Sequence, residues 1–171
     1  MKTSLVVLVF TLTSGVARYQ QDHHHPAAPK DGGAQTSTLT AEQVAQLLAG
    51  EGMGLAKAAE LNHFPGPKHV LELAKELEVT THQLQQIETI RSNMLVAAKK
   101  LGAELVEAER TLDLSFKHAH IDPDRLRALT GTIGRLQGEL RAAHLHAHLL
   151  TRDVLSPEQV ARYDVLRGHT K

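Results

Sequence analysis

The chain has 171 residues, with 19 Lys and Arg, 19 Asp and Glu, 12 His and no Cys. The formal charge of zero disfavours a nucleic-acid-binding protein, which would carry a basic excess, and the lack of Cys excludes disulfides and thiolate metal ligands. Only 3% of the residues are aromatic, so the core must consist of Leu, Ile, Val, Met and Ala, which suits thin helical packing better than an aromatic-lined pocket.

Residues 1–17 have the pattern of a secretory signal peptide. Lys2 precedes an apolar run from Leu5 to Phe10, and small residues lead up to Ala17, near which we expect cleavage. This run is shorter than the ~20 residues that a membrane-spanning helix requires. We therefore expect an exported protein that is not stably inserted in a membrane.

Residues 18–38 predict a disordered tether, because they are rich in Pro, Gly and polar residues and lack apolar periodicity. The run His23-His24-His25 lies in this segment. Neutral imidazoles bind zinc, copper or nickel, so the triplet is either a loose metal trap or simply part of a polar linker.

Residues 39–171 predict a helical domain that begins with short elements. A first helix is expected over 41–49, followed by a bend at the glycines of 50–54 and a second short helix over about 55–62. Pro67 can begin a third short helix. Its apolar residues are Val70, Leu71, Leu73, Ala74 and Leu77.

Two long helices follow, and each carries an apolar seam with steps of three and four residues. The first runs from Thr80 to about residue 117, with the seam Leu84, Ile87, Arg91, Met94, Ala98, Leu101, Leu105, Ala108 and Leu112. Asp122-Pro123 begins the second, with the seam Leu126, Leu129, Ile133, Leu136, Leu140, Ala143, Ala147, Leu150 and Val154. A short final helix carries Val160, Tyr163, Val165 and Leu166. This pattern predicts an all-α antiparallel hairpin with short flanking helices, and a second copy of the chain could cover its remaining apolar surface in a homodimer.

Three helix starts share one capping motif, in which a Ser or Thr is followed three residues later by Gln. The hydroxyl accepts the backbone N–H of the Gln, and the Gln side chain accepts the N–H of the cap residue. The pairs are Thr40 with Gln43, Thr80 with Gln83, and Ser156 with Gln159.

The segments Val79-Thr80-Thr81-His82-Gln83 and Leu155-Ser156-Pro157-Glu158-Gln159, with Tyr163 after the second, resemble the Spy/CpxP family of periplasmic LTxxQ-motif proteins, which also takes in ZraP- and CnrX-type proteins. The resemblance covers about residues 67–168. Val79, Ser156 and His82 depart from the usual Leu, Thr and Glu, but the capping chemistry survives.

The resemblance implies a small, cradle-shaped homodimer in the periplasm. Such a protein would bind unfolded or partly folded clients without ATP during envelope or metal stress, and an envelope-stress sensor kinase is a further implied partner. The alternative implied by the same resemblance is a heavy-metal sensor or regulator of the CnrX or ZraP type.

Basic side chains along the hairpin are candidates for client capture. They are Lys99, Lys100, Arg127 and Arg135. Interspersed acidic residues leave the alternative of an ordinary solvated face.

His144 and His148 are four residues apart, so both imidazoles lie on one helical face and could bind one zinc, copper or nickel ion. Both flank the predicted seam, and the alternative is a pair of solvated histidines. The His-x-x-x-Met ligand pair of CnrX-type proteins would fall on Ala147 and Thr151, so that ligand set does not carry over. The sequence has no phosphate-binding loop, nucleophile motif or paired catalytic carboxylates, and we expect neither an enzyme nor a required cofactor.

Overall fold

The computed structural model describes residues 36–169, and within that range the protein is all-α, as predicted. Its helices are α1 (Ala41–Ala49), α2 (Lys57–Glu60), α3 (Pro67–Glu72), α4 (Thr81–Lys117), α5 (Pro123–Val154) and α6 (Pro157–Arg167). None of the helices in this range is long and apolar enough to cross a bilayer. The predicted signal peptide, the tether up to residue 35 and the triplet His23 to His25 lie outside the described residues.

Helices α4 and α5 form the predicted hairpin. Helix α4 has 37 residues, which corresponds to ~55 Å at 1.5 Å per residue. The turn ends at Asp122, whose carboxylate accepts the N–H groups of Asp124 and Arg125 at 3.0 and 2.8 Å and so caps α5. A central apolar cluster joins the long helices to α1 through buried side chains. Its members are Leu47, Ala98, Leu105, Ile133, Leu136 and Leu140.

Helix α1 packs against α4 at unusually short range because Gly102 has no side chain. A Cβ atom at Gly102 would lie 2.1 Å from the carbonyl oxygen of Leu47. Just before α1, the Thr38 hydroxyl donates to Glu109 at 3.0 Å. The ordered contacts with the hairpin therefore begin before the first helix.

A second apolar cluster lies where α3, α4 and α6 meet, and we call this end of the hairpin the base. Its buried residues are Val70, Leu77, Ile87, Leu155, Val160 and Tyr163. Of the apolar residues predicted for α6, Val160 and Tyr163 are buried, but Val165 and Leu166 are exposed by 64% and 45%. An 11-residue helix that packs on one side buries only one stripe of its side chains.

The buried stripe of α5 departs from the predicted seam towards the base. Leu150 is exposed, whereas His144, His148 and Thr151 are buried. A straight helix has 3.6 residues per turn, so its inward-facing stripe gradually departs from a seam with a 3.5-residue repeat. This drift turns a new face of α5 towards α2 and α3. Both short helices contact α5, so that face is covered. The Thr151 hydroxyl is satisfied within the helix, since it donates to the Ala147 carbonyl at 2.7 Å.

Candidate functional site

The capping boxes predicted at the three motifs are all present. In the second, Thr80 Oγ1 accepts the Gln83 N–H at 3.2 Å and Gln83 Oε1 accepts the Thr80 N–H at 3.0 Å. In the third, Ser156 and Gln159 repeat the arrangement at 3.2 and 3.0 Å. Each motif therefore fixes the first turn of its helix by local chemistry.

The second and third motifs also bind each other, which their spacing in the sequence did not reveal. Gln83 Nε2 donates to Gln159 Oε1 at 2.8 Å and to the Val154 carbonyl at 2.9 Å. In return, Gln159 Nε2 donates to Gln83 Oε1 at 3.1 Å and to the Leu77 carbonyl at 3.2 Å. We call these two residues the glutamine pair. Through it, the start of α4 is joined to the junction of α5 and α6.

The first motif makes no such link. Gln43 accepts the Thr40 N–H at 2.9 Å and donates its own N–H to Thr40 at 3.1 Å, but its Nε2 has no hydrogen-bond partner among residues 36–169. The three motifs are thus alike as helix starts and different in tertiary role.

A polar network around Glu60 closes the base of the hairpin. Glu60 Oε1 accepts Arg167 Nη2 at 2.9 Å and the Tyr163 hydroxyl at 3.2 Å. Burial opposes ionisation of Glu60, but the hydrogen bond from Arg167, the charges of His69 and Arg167 and the hydrogen bond from Tyr163 together outweigh it, so the pKa of this carboxyl lies below its usual value. Burial, together with the charge of Glu60, raises the pKa of the Tyr163 phenol. These groups tie α2 to α6.

The two histidines proposed as metal ligands are buried, which contradicts the alternative that they are solvated. His144 is 4% exposed and His148 is 8% exposed. His148 Nδ1 lies 2.8 Å from the Phe64 carbonyl oxygen and therefore donates to it. A Cβ at Gly66 would lie 2.8 Å from the His148 ring, so this close approach requires glycine.

Both rings line one cavity of about 750 Å³ near the base, which we call the histidine cavity. The loop of residues 50–54, helices α2 and α3, and the long helices form its walls. The burial of His144, followed by the nearby charge of His148, lowers the pKa of His144, so its imidazole is held neutral. No group of three or more His, Cys, Asp or Glu side chains within residues 36–169 is arranged to bind a metal ion.

The sequence contained one signal for this cavity that motif reasoning did not use. Arg91 interrupts an otherwise apolar seam, and together with Met94 it lines the cavity instead of filling the hairpin core. The glycines of residues 50–54, predicted only as a bend, form part of the opposite wall.

The four basic residues proposed for client capture differ in their ion pairing and in their surroundings. Arg127 and Arg135 make exposed ion pairs within their own helix, to Asp124 at 2.8 Å and to Glu139 at 2.9 Å. Lys99 and Lys100 are exposed and make no ion pair within the described residues. Of the four, only Lys99 lines the histidine cavity.

Exposed apolar side chains on the long helices were not predicted as a functional feature. The most exposed are Val96 and Phe116, at 70% and 56%. Leu126, Leu149 and Leu150 are each more than one third exposed. Ile90, Leu150 and Val154 also line an open groove between α4 and α5.

The model of the LTXXQ motif family matches residues 66–167 of the chain, which is more than half of its length. The match begins next to α3 and ends at the end of α6, so it contains both members of the glutamine pair and omits α1 with its capping box. No curated protein and no solved structure matches the chain.

Proposed function

The chain belongs to the LTXXQ motif family, the Spy/CpxP-type family, and on that premise we propose that it is a periplasmic, ATP-independent chaperone-like protein of the envelope or metal stress response. Its partners would be unfolded or partly folded periplasmic proteins. The family is not a known enzyme family. The observation that best supports the proposal is the exposed apolar surface of the hairpin.

This surface combines apolar contacts with charges that can exchange partners. Val96 and Phe116 are largely exposed on α4, and Leu126 and Leu149 are exposed on α5. The ion pair of Arg135 with Glu139 is also exposed, and such pairs contribute only about 0–1 kcal/mol each. Weak apolar contact together with replaceable ion pairs allows many different clients to bind.

A homodimer would complete such a surface. The hairpin is two helices thick, and the short helices pack against its central part and its base. A second copy of the chain could cover part of the exposed apolar surface and leave a concave face between the two hairpins. Association through a two-fold axis would bring the same surface from each copy into contact.

The experiment is light scattering from a heat-stressed or reduced client, with the mature chain present at near-stoichiometric ratio and without ATP. We expect suppression of aggregation that weakens between low and high salt but persists, because salt screens only the electrostatic part of capture. An absence of suppression in every buffer would contradict the proposal.

The matched variants are V96S/F116S and V165S/L166S. Both replace two exposed apolar residues, but the first pair lies on the hairpin and the second on α6. The hairpin variant should lose most of its suppression while the α6 variant retains it. Equal suppression by the two variants would show that the exposed hairpin residues do not bind the client.

The second candidate function is a metal-binding sensor or regulator that acts on an envelope-stress sensor kinase. It is favoured by the burial of His144 and His148 around one cavity. Zinc, copper or nickel should then bind to a chain in which His23, His24 and His25 are replaced by Gln. Binding should be lost in H144A/H148A and retained in H146A, whose histidine is exposed on the same helix.

A further inference from the structure

The histidine cavity has the size and access of a small-molecule site. Its volume of about 750 Å³ falls within the ~300–1,000 Å³ typical of ligand pockets. Gly66 allows the His148 ring to lie close against the opposite wall, since a Cβ there would lie 2.8 Å from the ring, and the His144 ring lies beside Gly52.

The charge that lines the cavity is predominantly positive. Four cationic side chains that line it make no ion pair within the described residues: Lys57, Lys68, Arg91 and Lys99. A fifth, Arg167, is paired with Glu60 at 2.9 Å. Glu51 is the one lining carboxylate left without an ion pair in the described part of the chain. A cleft with this balance attracts anions and repels cations.

His144, which lines the cavity, has a ring nitrogen without a hydrogen-bond partner within the described residues. His144 is 4% exposed, and its Nε2 atom is buried with no hydrogen-bond partner among the described residues. Its other edge, with Nδ1 and Cε1, faces Gly52 in the cavity wall. Because Nε2 is buried, a ligand in the cavity would approach the ring at its Nδ1 edge. A neutral imidazole offers one N–H donor, which suits an anionic oxygen.

Apolar side chains occupy the rest of the wall. Met94 and Leu95 line the cavity from α4, while Met53 and Leu61 line it from the opposite side and are about half exposed. A ligand that satisfies the whole cavity therefore has an anionic head and an apolar body.

We propose that the histidine cavity binds a small amphipathic carboxylate, with the carboxylate near Arg91, Lys99 and His144 and the alkyl body against Met94 and Leu95. A divalent cation fits this cavity less well, because it would meet four cationic side chains that make no ion pair within the described residues. The proposal does not rest on chaperone activity, and it assigns a second kind of ligand to the chain.

The test is isothermal titration of the full mature chain with octanoate, acetate, octyl glucoside and octyltrimethylammonium at fixed ionic strength. We expect octanoate to bind with one site per chain and the other three probes to bind at least tenfold more weakly. Binding of octyltrimethylammonium as tight as that of octanoate would overturn the proposal, because it would indicate apolar adsorption. Acetate binding as tight as octanoate would remove the role of the apolar wall and would also overturn it.

Two matched pairs of variants locate the site. K99Q removes a lining charge and K100Q removes its exposed neighbour, which does not line the cavity. K99Q should weaken octanoate binding by about fivefold, as expected for one partly screened charge, and K100Q should leave it unchanged. H144Q should weaken binding while H146Q does not. Equal effects of K99Q and K100Q would place the carboxylate elsewhere and refute the assignment, and this comparison holds even if H144Q fails to fold.

Discussion

The glutamine pair makes a sharp prediction about why both motifs carry Gln instead of Glu. In an isolated capping box, Glu at this position accepts the cap N–H as well as Gln does, and near a helix N-terminus its negative charge adds about 0.3–1 kcal/mol of stability. Local chemistry alone therefore makes Glu at least equal to Gln. The amide is required only for its Nε2 donor, which Gln83 uses towards Gln159 and the Val154 carbonyl.

Q83E should therefore destabilise the protein although the two side chains have the same shape. The substitution removes two donated hydrogen bonds of about 1 kcal/mol each and places a carboxylate oxygen 2.8–2.9 Å from two other oxygens. Gln159 cannot flip its amide to compensate, because its Oε1 already accepts the Ser156 N–H. Allowing for the gain at the helix terminus, we expect a net loss of about 1–3 kcal/mol in the free energy of unfolding.

The matched control is Q43E. Gln43 makes its capping box with Thr40 and donates no side-chain hydrogen bond within residues 36–169, so the same substitution should be neutral or slightly stabilising. Urea denaturation followed by far-UV circular dichroism measures both free energies. If Q83E and Q43E change stability equally, the link between the two motifs contributes nothing and the reasoning is refuted.

Three further predictions concern packing, protonation and assembly. In G102A the new Cβ would meet the Leu47 backbone, and this overpacking should lower the free energy of unfolding by about 1–3 kcal/mol. In G138A the Cβ would have nothing within 4 Å, so the free energy of unfolding should rise by up to ~1 kcal/mol. Equal urea midpoints of the two variants would contradict this. Burial lowers the pKa of His144 below 6.5, so the unfolded chain takes up this proton first as the pH falls. The free energy of unfolding should therefore decrease below about pH 6.5, and it should decrease less in H144L. Identical pH profiles of the two proteins would exclude the effect. L136D places a charge at a position that is 2% exposed and should unfold the hairpin. Sedimentation of the wild-type mature chain should show a dimer. A stable folded monomer at micromolar concentration would exclude the dimer.

The helices could be predicted from the sequence because their ends are fixed locally. Thr40, Thr80, Asp122 and Ser156 each accept one or two of the free N–H groups of the turn that follows them. Such signals need no knowledge of the rest of the chain. Consequently the predicted starts of α1, α4, α5 and α6 agree with the structure.

The tertiary roles of polar residues could not be predicted in the same way. Gln43, Gln83 and Gln159 occupy the same place in their motifs, yet only the last two meet, because only their helices converge at the base. His144 was assigned to the edge of a seam because a 3.5-residue repeat was continued over the whole of α5. The packing of α2 and α3 on that helix decides which face is buried, and no local pattern encodes it.

The short helices cover one part of the hairpin and leave the part near the turn uncovered. At the base, the glutamine pair, the Glu60 network and the apolar cluster around Tyr163 connect α2, α3, α4 and α6. Towards the turn, no described helix covers α4 and α5, and Phe116 and Leu126 are exposed on either side of the turn. Because the base and the central apolar cluster hold the two long helices together, the part near the turn is left free to expose apolar surface. Client binding and association with a second copy should therefore be sensitive to substitutions near the turn, and the stability of the fold to substitutions at the base and in the central cluster.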